Sequence, residues 1–258
     1  MTPGRVVQHG TAPFVACVLH GGPGGAGEVN DLASESARQT GCGVLEPWQS
    51  QDSVAGQIAE LASQISAHCN GPIPVLGWSW GAWLACLLAH DHPDMVSYLV
   101  LIGSAPFDAE THALIKPTRL AKLSKSQRDE LDRITPNLQD PDAARRFSEL
   151  YEICDAFDPI DTLRPEVQID MRINAAVWND ARQIRDRGDW PDILRNLTCP
   201  ITAIHGADDP HPAHGVFETL VAAQPNTQTI LLEKCGHKPW RERQAQDAFY
   251  AEVMAVLN

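Results

Sequence analysis

The sequence lacks several features that mark whole classes of protein. No apolar run approaches the length that spans a bilayer, and the first ten residues show neither a long apolar stretch nor a small-residue cleavage site. The 7 cysteines, an odd number, occur singly and without a Cys-x-x-Cys pair, so a thiolate zinc site is not expected. No internal repeat or low-complexity segment is present. These absences predict a cytoplasmic globular chain with reduced cysteines, no signal peptide and no membrane partner.

Basic residues are also few relative to acidic ones. Lys and Arg total 20 against 33 Asp and Glu, which gives a formal net charge of -13. Such a surface repels phosphate-rich partners, so we expect no nucleic-acid binding. The sequence carries no signal for the oligomeric state.

What the sequence does contain is an alternation of short β-branched runs with helical patterns. Strands are predicted at Phe14–Leu19, 73–76, Val96–Ile102 and 201–205, and further short strands at 43–45 and 229–232. Strands alternating with helices predict an α/β fold with a mostly parallel central sheet flanked by helices.

The pattern changes in the middle of the chain. From about residue 106 to 196 it is polar, rich in Arg and Asp, and helical in period, with candidate helices at 120–134 and 142–154. We therefore predict a core formed by residues 1–105 and 197–258, with residues 106–196 inserted as a helical cap. Such insertions commonly lie over an active site and control access to it.

The strongest chemical motif is G-W-S-W-G at residues 77–81. It fits Gly-x-Ser-x-Gly, in which a strained turn between a strand and a helix exposes a serine nucleophile. A strand enters the motif and an apolar helix leaves it, as this turn requires. The pattern predicts Ser79 as the nucleophile.

A glycine-rich loop, H-G-G-P-G-G at residues 20–25, follows the first predicted strand. A serine nucleophile needs two backbone N–H donors to stabilise the oxyanion that forms on its substrate. One usually comes from the residue after the nucleophile, here Trp80, and the other from a loop of this kind, here Gly22. Pro23 has no N–H and is excluded.

An acid and a base are expected on later loops, in the order serine, acid, histidine. The loop after strand 201–205 offers two adjacent acids, Asp208 and Asp209, which composition cannot separate. His237 lies on the loop after the last predicted strand, before the final helix, where the base is required. The proton of Ser79 would pass to His237 while the serine attacks a carbonyl, and water would later release the acyl group.

These motifs resemble those of the proline iminopeptidase branch of the α/β-hydrolases. The resemblance rests on residues 20–25, 77–81, H-G-A-D-D-P at 205–210 and G-H-K-P at 236–239, and it covers the core on both sides of the insertion. It implies the α/β-hydrolase fold, and the family spacing Gly-x-x-Asp selects Asp209 as the acid. It also implies a mostly helical cap whose carboxylates bind the α-amine of the substrate.

The sequence departs from that family in two places. The Asp-x-Arg-Gly-x-Gly stretch expected after the second core strand is replaced by E-P-W-Q-S-Q at residues 46–51. The cap also lacks the family's tryptophan–glutamate pattern, which leaves Glu149 and Glu152 as the nearest candidates for substrate binding. A solvated acidic helix face explains those two glutamates equally well.

The resulting hypothesis is a serine hydrolase without metal or cofactor that cleaves a small ester or an N-terminal aminoacyl amide. A general carboxylesterase of the same fold is the first alternative. A metal-dependent hydrolase using Asp208, Asp209, His211 and His214 is a second alternative, but it leaves Ser79 unexplained and lacks a His-Glu-x-x-His pattern. A non-catalytic binding protein of this fold is a third, against which the complete set of serine, acid and histidine argues.

Overall fold

The computed structural model describes residues 4–160 and 169–258, and this part of the chain contains one sheet of seven strands. The spatial order is β1-β3-β2-β4-β5-β6-β7, and every neighbouring pair is parallel except β1 with β3. The strands are β1 Val6–His9, β2 Phe14–Leu19, β3 Gly43–Pro47, β4 Ile73–Trp78, β5 Val96–Ile102, β6 Ile201–Gly206 and β7 Gln228–Leu232. The mostly parallel sheet is the predicted one.

Helices connect the strands and cover both faces of the sheet. Their bounds are α1 Asn30–Thr40, α2 Val54–Ser66, α3 Trp80–Asp91, α4 Ala109–His112, α5 Ile115–Lys122, α6 Lys125–Ile134, α7 Pro141–Asp155, α8 Met171–Arg187, α9 Trp190–Arg195, α10 Ala213–Ala223 and α11 Gln246–Leu257. Within the described residues, none of these helices is both long and apolar enough to cross a membrane.

The central strands are mostly apolar because both of their faces are largely buried. Successive side chains of a strand point to opposite faces. Thus Val75 and Leu99 pack with α2 and α3 on one face, whereas Leu76 and Val100 pack with α1 and α11 on the other. This two-sided burial is typical of parallel sheets and explains the continuous apolar runs in the sequence.

The strand ends determine where the candidate site lies. Strands β2, β4, β6 and β7 run parallel, so their carboxyl ends meet at one edge of the sheet. The glycine-rich loop, Ser79, Asp209 and His237 each follow one of those ends. Ligands of open α/β sheets bind at this edge.

The middle of the chain is helical, but one helix prediction is wrong. The segment 120–134 is broken into α5 and α6 because Ser124 caps α6: its hydroxyl accepts from the Gln127 N–H, and the Gln127 side chain accepts in return from the Ser124 N–H. This reciprocal capping starts a new helix.

Two parts of the middle segment pack differently. Helices α5, α6 and α7 share a small apolar cluster of their own, which includes Leu131 and Leu150. Helices α8 and α9 instead place Val177 and Leu194 in the main core beneath α3. The described helices between residues 106 and 196 therefore form two groups that pack against different parts of the molecule.

Candidate active site

The turn at Ser79 joins β4 to α3 through a strained backbone. Ser79 has φ +55° and ψ -118°, a conformation that non-glycine residues rarely adopt. Its N–H donates to the Ile102 carbonyl at 2.9 Å, which fixes the turn against the end of β5. The side chain is partly exposed at the sheet edge. Strain of this kind costs about 1–3 kcal/mol and is concentrated at functional sites.

The glycines on either side of the turn are required by close packing. A Cβ atom at Gly77 would lie 2.2 Å from the Gly81 carbonyl oxygen, and one at Gly81 would lie 2.5 Å from the Leu19 carbonyl oxygen. Both obstacles are backbone atoms, which cannot move aside. The Gly-x-Ser-x-Gly spacing is therefore explained by the geometry of the turn.

We expect Gly77→Ala to lower the free energy of unfolding by roughly 3 kcal/mol, the upper end of the usual cost of overpacking. Urea denaturation measures the change. Gly71→Ala is the matched control, because a Cβ at Gly71 meets open space, and it should stay within about 0.5 kcal/mol of wild type. Equal stability of the two variants would contradict this account of the turn.

The acid and the histidine meet on adjacent loops. The Nδ1–H of His237 donates to Oδ2 of Asp209 at 2.7 Å, and both side chains are buried. Asp208, the other candidate acid, makes no side-chain hydrogen bond among the described residues. Its backbone N–H donates instead to the Cys235 carbonyl. This arrangement leaves Nε2 of His237 available to accept a proton.

The environment of Asp209 favours its charged form. Burial alone would raise the pKa of this carboxyl, but His237, His211 and His205 outweigh burial and hold the pKa well below its usual range. The second oxygen, Oδ1, accepts from both the backbone N–H and the ring Nδ1–H of His211, at 2.8 and 2.7 Å. Asp209 is thus an ionised carboxylate that accepts bonds on both oxygens.

Ser79 and His237 both lie against the carboxyl end of β5, at Ile102 and Gly103. Ser79 bonds to the Ile102 carbonyl, and a Cβ added to Gly103 would lie 3.0 Å from Nδ1 of His237. The Trp78 indole N–H donates to the His237 carbonyl at 2.9 Å, which ties the two loops together. No hydrogen bond joins Ser79 Oγ to the His237 ring within the described residues. Such bonds are often long in ligand-free sites and shorten when substrate binds.

The glycine-rich loop lies against the turn at Ser79. A Cβ at Gly21 would lie 3.1 Å from Cβ of Ser79. The next residue, Gly22, has φ +31° and is one of the two residues proposed to supply oxyanion donors. The other, Trp80, is the first residue of α3, so its N–H has no partner within the helix.

Gln49, which no motif singled out, connects this loop to α3. Its backbone N–H donates to Nε2 of His20 at 3.4 Å, and its side chain donates to the His20 carbonyl and accepts from the Trp80 indole. Burial lowers the pKa of His20 to about 4, so the ring is neutral and Nε2 can accept. Gln49 lies in the stretch where the sequence departs from the proline iminopeptidase pattern.

A second unexpected residue, Glu242, holds the histidine loop. Its buried carboxylate accepts from the backbone N–H groups of Gly236, Phe157 and Asp158 at 3.0, 2.8 and 2.7 Å. The N–H of His237 also donates to the Asp155 carbonyl at 2.6 Å. The end of α7 is therefore fastened directly to the loop that carries His237.

Comparison with a protein-family model shows which family this chain belongs to. The model described as "Alpha/beta hydrolase family" matches residues 18–252, which is most of the chain. The chain belongs to the alpha/beta hydrolase family. The predicted fold is thereby confirmed.

Relatives of this hydrolase include esterases. It is 27% identical over 196 residues to a pimeloyl-(acyl-carrier protein) methyl ester esterase of Citrobacter koseri, covering 74% of this chain and 73% of that protein. It is 25% identical over 186 residues to the biotin biosynthesis bifunctional protein BioHC of Teredinibacter turnerae, covering 70% of this chain but only 33% of that longer protein. A solved proline iminopeptidase of Mycobacterium smegmatis superposes with a TM-score of 0.66 at 19% identity, covering 98% and 93% of the two chains. At that identity the superposition shows the shared fold alone.

The two glutamates predicted to bind substrate are paired with cations in this hydrolase. Glu149 bonds to Arg146 at 2.9 Å on the exposed side of α7. Glu152 lies nearer the site, 2.7 Å from Nζ of Lys238, the residue after His237. The structure therefore brings Glu152, but not Glu149, close to the loop that carries His237.

A metal centre was the alternative for the 208–214 stretch. Among the described residues, the cluster that could hold an ion consists of Asp209, His211 and His237, whose ligand atoms lie within 4.8 Å of one another. Asp208 and His214 are not part of it. Both imidazoles already donate Nδ1–H to Asp209, so a metal ion bound between these atoms would have to displace those two protons.

Proposed function

We propose that this hydrolase is a serine carboxylesterase that cleaves small esters through an acyl-enzyme on Ser79. The observation that carries the proposal is the bond between Asp209 and His237, formed beside the strained turn that presents Ser79. His237 Nε2 takes the hydroxyl proton as Ser79 Oγ bonds to the ester carbonyl carbon. The proton then passes to the departing alcohol. Water, activated by the same histidine, hydrolyses the acyl-enzyme and restores Ser79.

The negative charge that develops on the carbonyl oxygen needs donors that are already in place. We assign these to the N–H groups of Gly22 and Trp80, which belong to the loop and the helix that flank Ser79. Such preorganised donors are worth about 10²–10³ in kcat each. The Gln49 bridge between His20 and Trp80 supports the spacing of these two segments.

Two observations favour an ester over an N-terminal aminoacyl amide. Recognition of an α-amine requires a carboxylate that can face the substrate, whereas Glu149 and Glu152 are engaged by Arg146 and Lys238. The Citrobacter koseri relative described above is named as a methyl ester esterase. Small esters are therefore the substrate class that we assign to Ser79.

We also propose that residues 106–196 act as a cap over residues 1–105 and 197–258. Contacts on two sides of the site support this role. The Asp170 N–H donates to the Gly24 carbonyl at 3.1 Å, and the Asn174 side chain donates to the Pro23 carbonyl at 3.0 Å, both on the glycine-rich loop. The end of α7 bonds to the N–H of His237. Movement of this segment would therefore alter access to the site.

A substrate screen tests the assignment. p-Nitrophenyl esters of increasing acyl length are compared with aminoacyl p-nitroanilides, each with and without a fluorophosphonate that modifies active serines. We expect turnover of short esters, complete inhibition by the fluorophosphonate, and no turnover of the anilides. Faster cleavage of the anilides would favour the aminopeptidase, and fluorophosphonate-resistant turnover would contradict serine catalysis.

Activity should survive exhaustive treatment with EDTA, because the proposed mechanism assigns no step to a metal and the Nδ1 atoms of His211 and His237 already donate to Asp209. Ester turnover before and after chelation, with the metal content of the protein measured in parallel, gives the answer. Activity lost to EDTA and restored by Zn²⁺ would instead support a metal-dependent hydrolase.

A further inference from the structure

A second imidazole lies against the acid–histidine pair. The His211 ring stacks on the His237 ring with centroids 4.2 Å apart and planes 21° from parallel. Its Nδ1–H donates to Oδ1 of Asp209 at 2.7 Å, while His237 uses Oδ2 of the same carboxylate. One carboxylate therefore joins two stacked histidines, of which the proposed reaction uses only one.

We propose that His211 is a positioning residue for the proposed reaction, fixing the Asp209 carboxylate so that Oδ2 faces His237. The inference rests on the proposed function, since it concerns the same nucleophile and base. A carboxylate can rotate about its Cβ–Cγ bond, and a donor on each oxygen removes that freedom. The backbone N–H of His211 also reaches Oδ1, at 2.8 Å, but the ring adds a second donor to that oxygen.

The surroundings keep His211 a neutral donor. The groups that face it are Asp209, His237, His205, whose Nε2 bonds to the His211 carbonyl at 2.8 Å, and more distantly Arg119. Burial, assisted by His237, lowers the pKa of His211 to about 4 although Asp209 opposes the shift. Near neutral pH the ring therefore donates a hydrogen bond without placing a second positive charge beside the imidazolium that forms on His237 during catalysis.

Two substitutions separate the hydrogen bond from the ring packing. In asparagine, Nδ2 occupies the same place along the side chain as Nδ1 in histidine, so His211→Asn keeps the donor and loses the stacked ring. His211→Phe keeps an aromatic ring over His237 and loses the donor. If His211 only fills space, phenylalanine should be tolerated and asparagine should not. If His211 acts as a positioning donor, the reverse is expected.

The full chain is assayed at neutral pH with a p-nitrophenyl ester, and the rate of fluorophosphonate labelling of Ser79 is measured in parallel. We expect His211→Phe to lower kcat and the labelling rate about tenfold to a hundredfold with KM within about twofold, as for loss of a hydrogen bond to a charged group. His211→Asn should remain within about threefold of wild type on the same reasoning. Thermal melting shows which variants fold, and His211→Leu replaces the phenylalanine variant if that variant melts early.

Two results separate the failure of this inference from failure of the proposed function. If wild-type protein neither hydrolyses esters nor labels at Ser79, the proposed function falls and this role falls with it. Suppose instead that wild-type protein hydrolyses esters and is labelled at Ser79. If the kcat of His211→Phe then equals that of wild type, or exceeds that of His211→Asn, only the role of His211 is overturned.

Discussion

Ser79→Ala is expected to lower kcat for a p-nitrophenyl ester by a factor on the order of 10⁶, the loss found when a serine protease loses its nucleophile. The reason is that no acyl-enzyme forms without the Ser79 oxygen, while His237 and Asp209 cannot act alone. A residual rate above that in water would come from the oxyanion donors. Stopped assays at high enzyme concentration are needed to measure so small a rate.

Ser104→Ala is a matched control, because Ser104 follows the carboxyl end of the neighbouring strand β5. Its hydroxyl donates to the Ala105 carbonyl at 3.0 Å and makes no other hydrogen bond within the described part of the chain. Its kcat should stay within about tenfold of wild type, since one neutral hydrogen bond contributes about 1 kcal/mol. Mass spectrometry of the fluorophosphonate adduct should locate the label at Ser79. A label on another serine, or full activity in Ser79→Ala, would overturn the assignment.

The parts of the fold that local sequence could predict are those with local causes. Strand β5 runs from Val96 to Ile102 as predicted, because a mostly apolar run whose last four residues are buried has one favourable structure. The turn at Ser79 was predictable because backbone atoms leave no room for a Cβ at Gly77 or Gly81, so both positions require glycine. Strand β1 was not predicted, since its four residues gain their structure from pairing with β3 at the sheet edge.

Residues whose role depends on distant partners could not be found from sequence. Gln49 acts through His20, 29 residues before it, and Trp80, 31 residues after it. Glu242 contacts Phe157 and Asp158, 85 and 84 residues earlier. Glutamine and glutamate are common on surfaces, so only the folded contacts distinguish these two. The break between α5 and α6 was also missed, although its signal, Ser124 followed by Gln127, is local and readable.

The choice between Asp208 and Asp209 could not be made from the local sequence, but the resemblance to a known family made it. Asp208 lies in the turn that follows β6, and Asp209 comes directly after that turn. The family spacing from Gly206 selects Asp209, and in the structure the Asp209 carboxylate is the one bonded to His237. The sequence singled out His211 only as a possible metal ligand, and its hydrogen bond to the Asp209 carboxylate was not predicted.

Asp209→Asn is expected to lower kcat on the order of 10⁴-fold, by the precedent of the serine-protease acid. The ionised carboxylate holds the tautomer of His237 that leaves Nε2 free for the Ser79 proton, and it stabilises the imidazolium that forms. An amide carries no charge, and its NH₂ group can face Nδ1 and favour the wrong tautomer. KM should change little, because neither effect concerns substrate binding. The measurement is steady-state kinetics on variants whose thermal melting shows that they fold.

The matched control is Asp208→Asn, the same chemical change one residue earlier. Asp208 is only partly buried, its side chain makes no hydrogen bond among the described residues, and its backbone contacts to Cys235 and Lys122 survive the substitution. Its kcat should stay within about threefold of wild type, because surface substitutions that disturb neither the core nor a buried hydrogen-bond network usually change free energies by less than about 0.5 kcal/mol. A larger loss in Asp208→Asn than in Asp209→Asn would mean that the bond from His237 to Asp209 is not the one that supports catalysis.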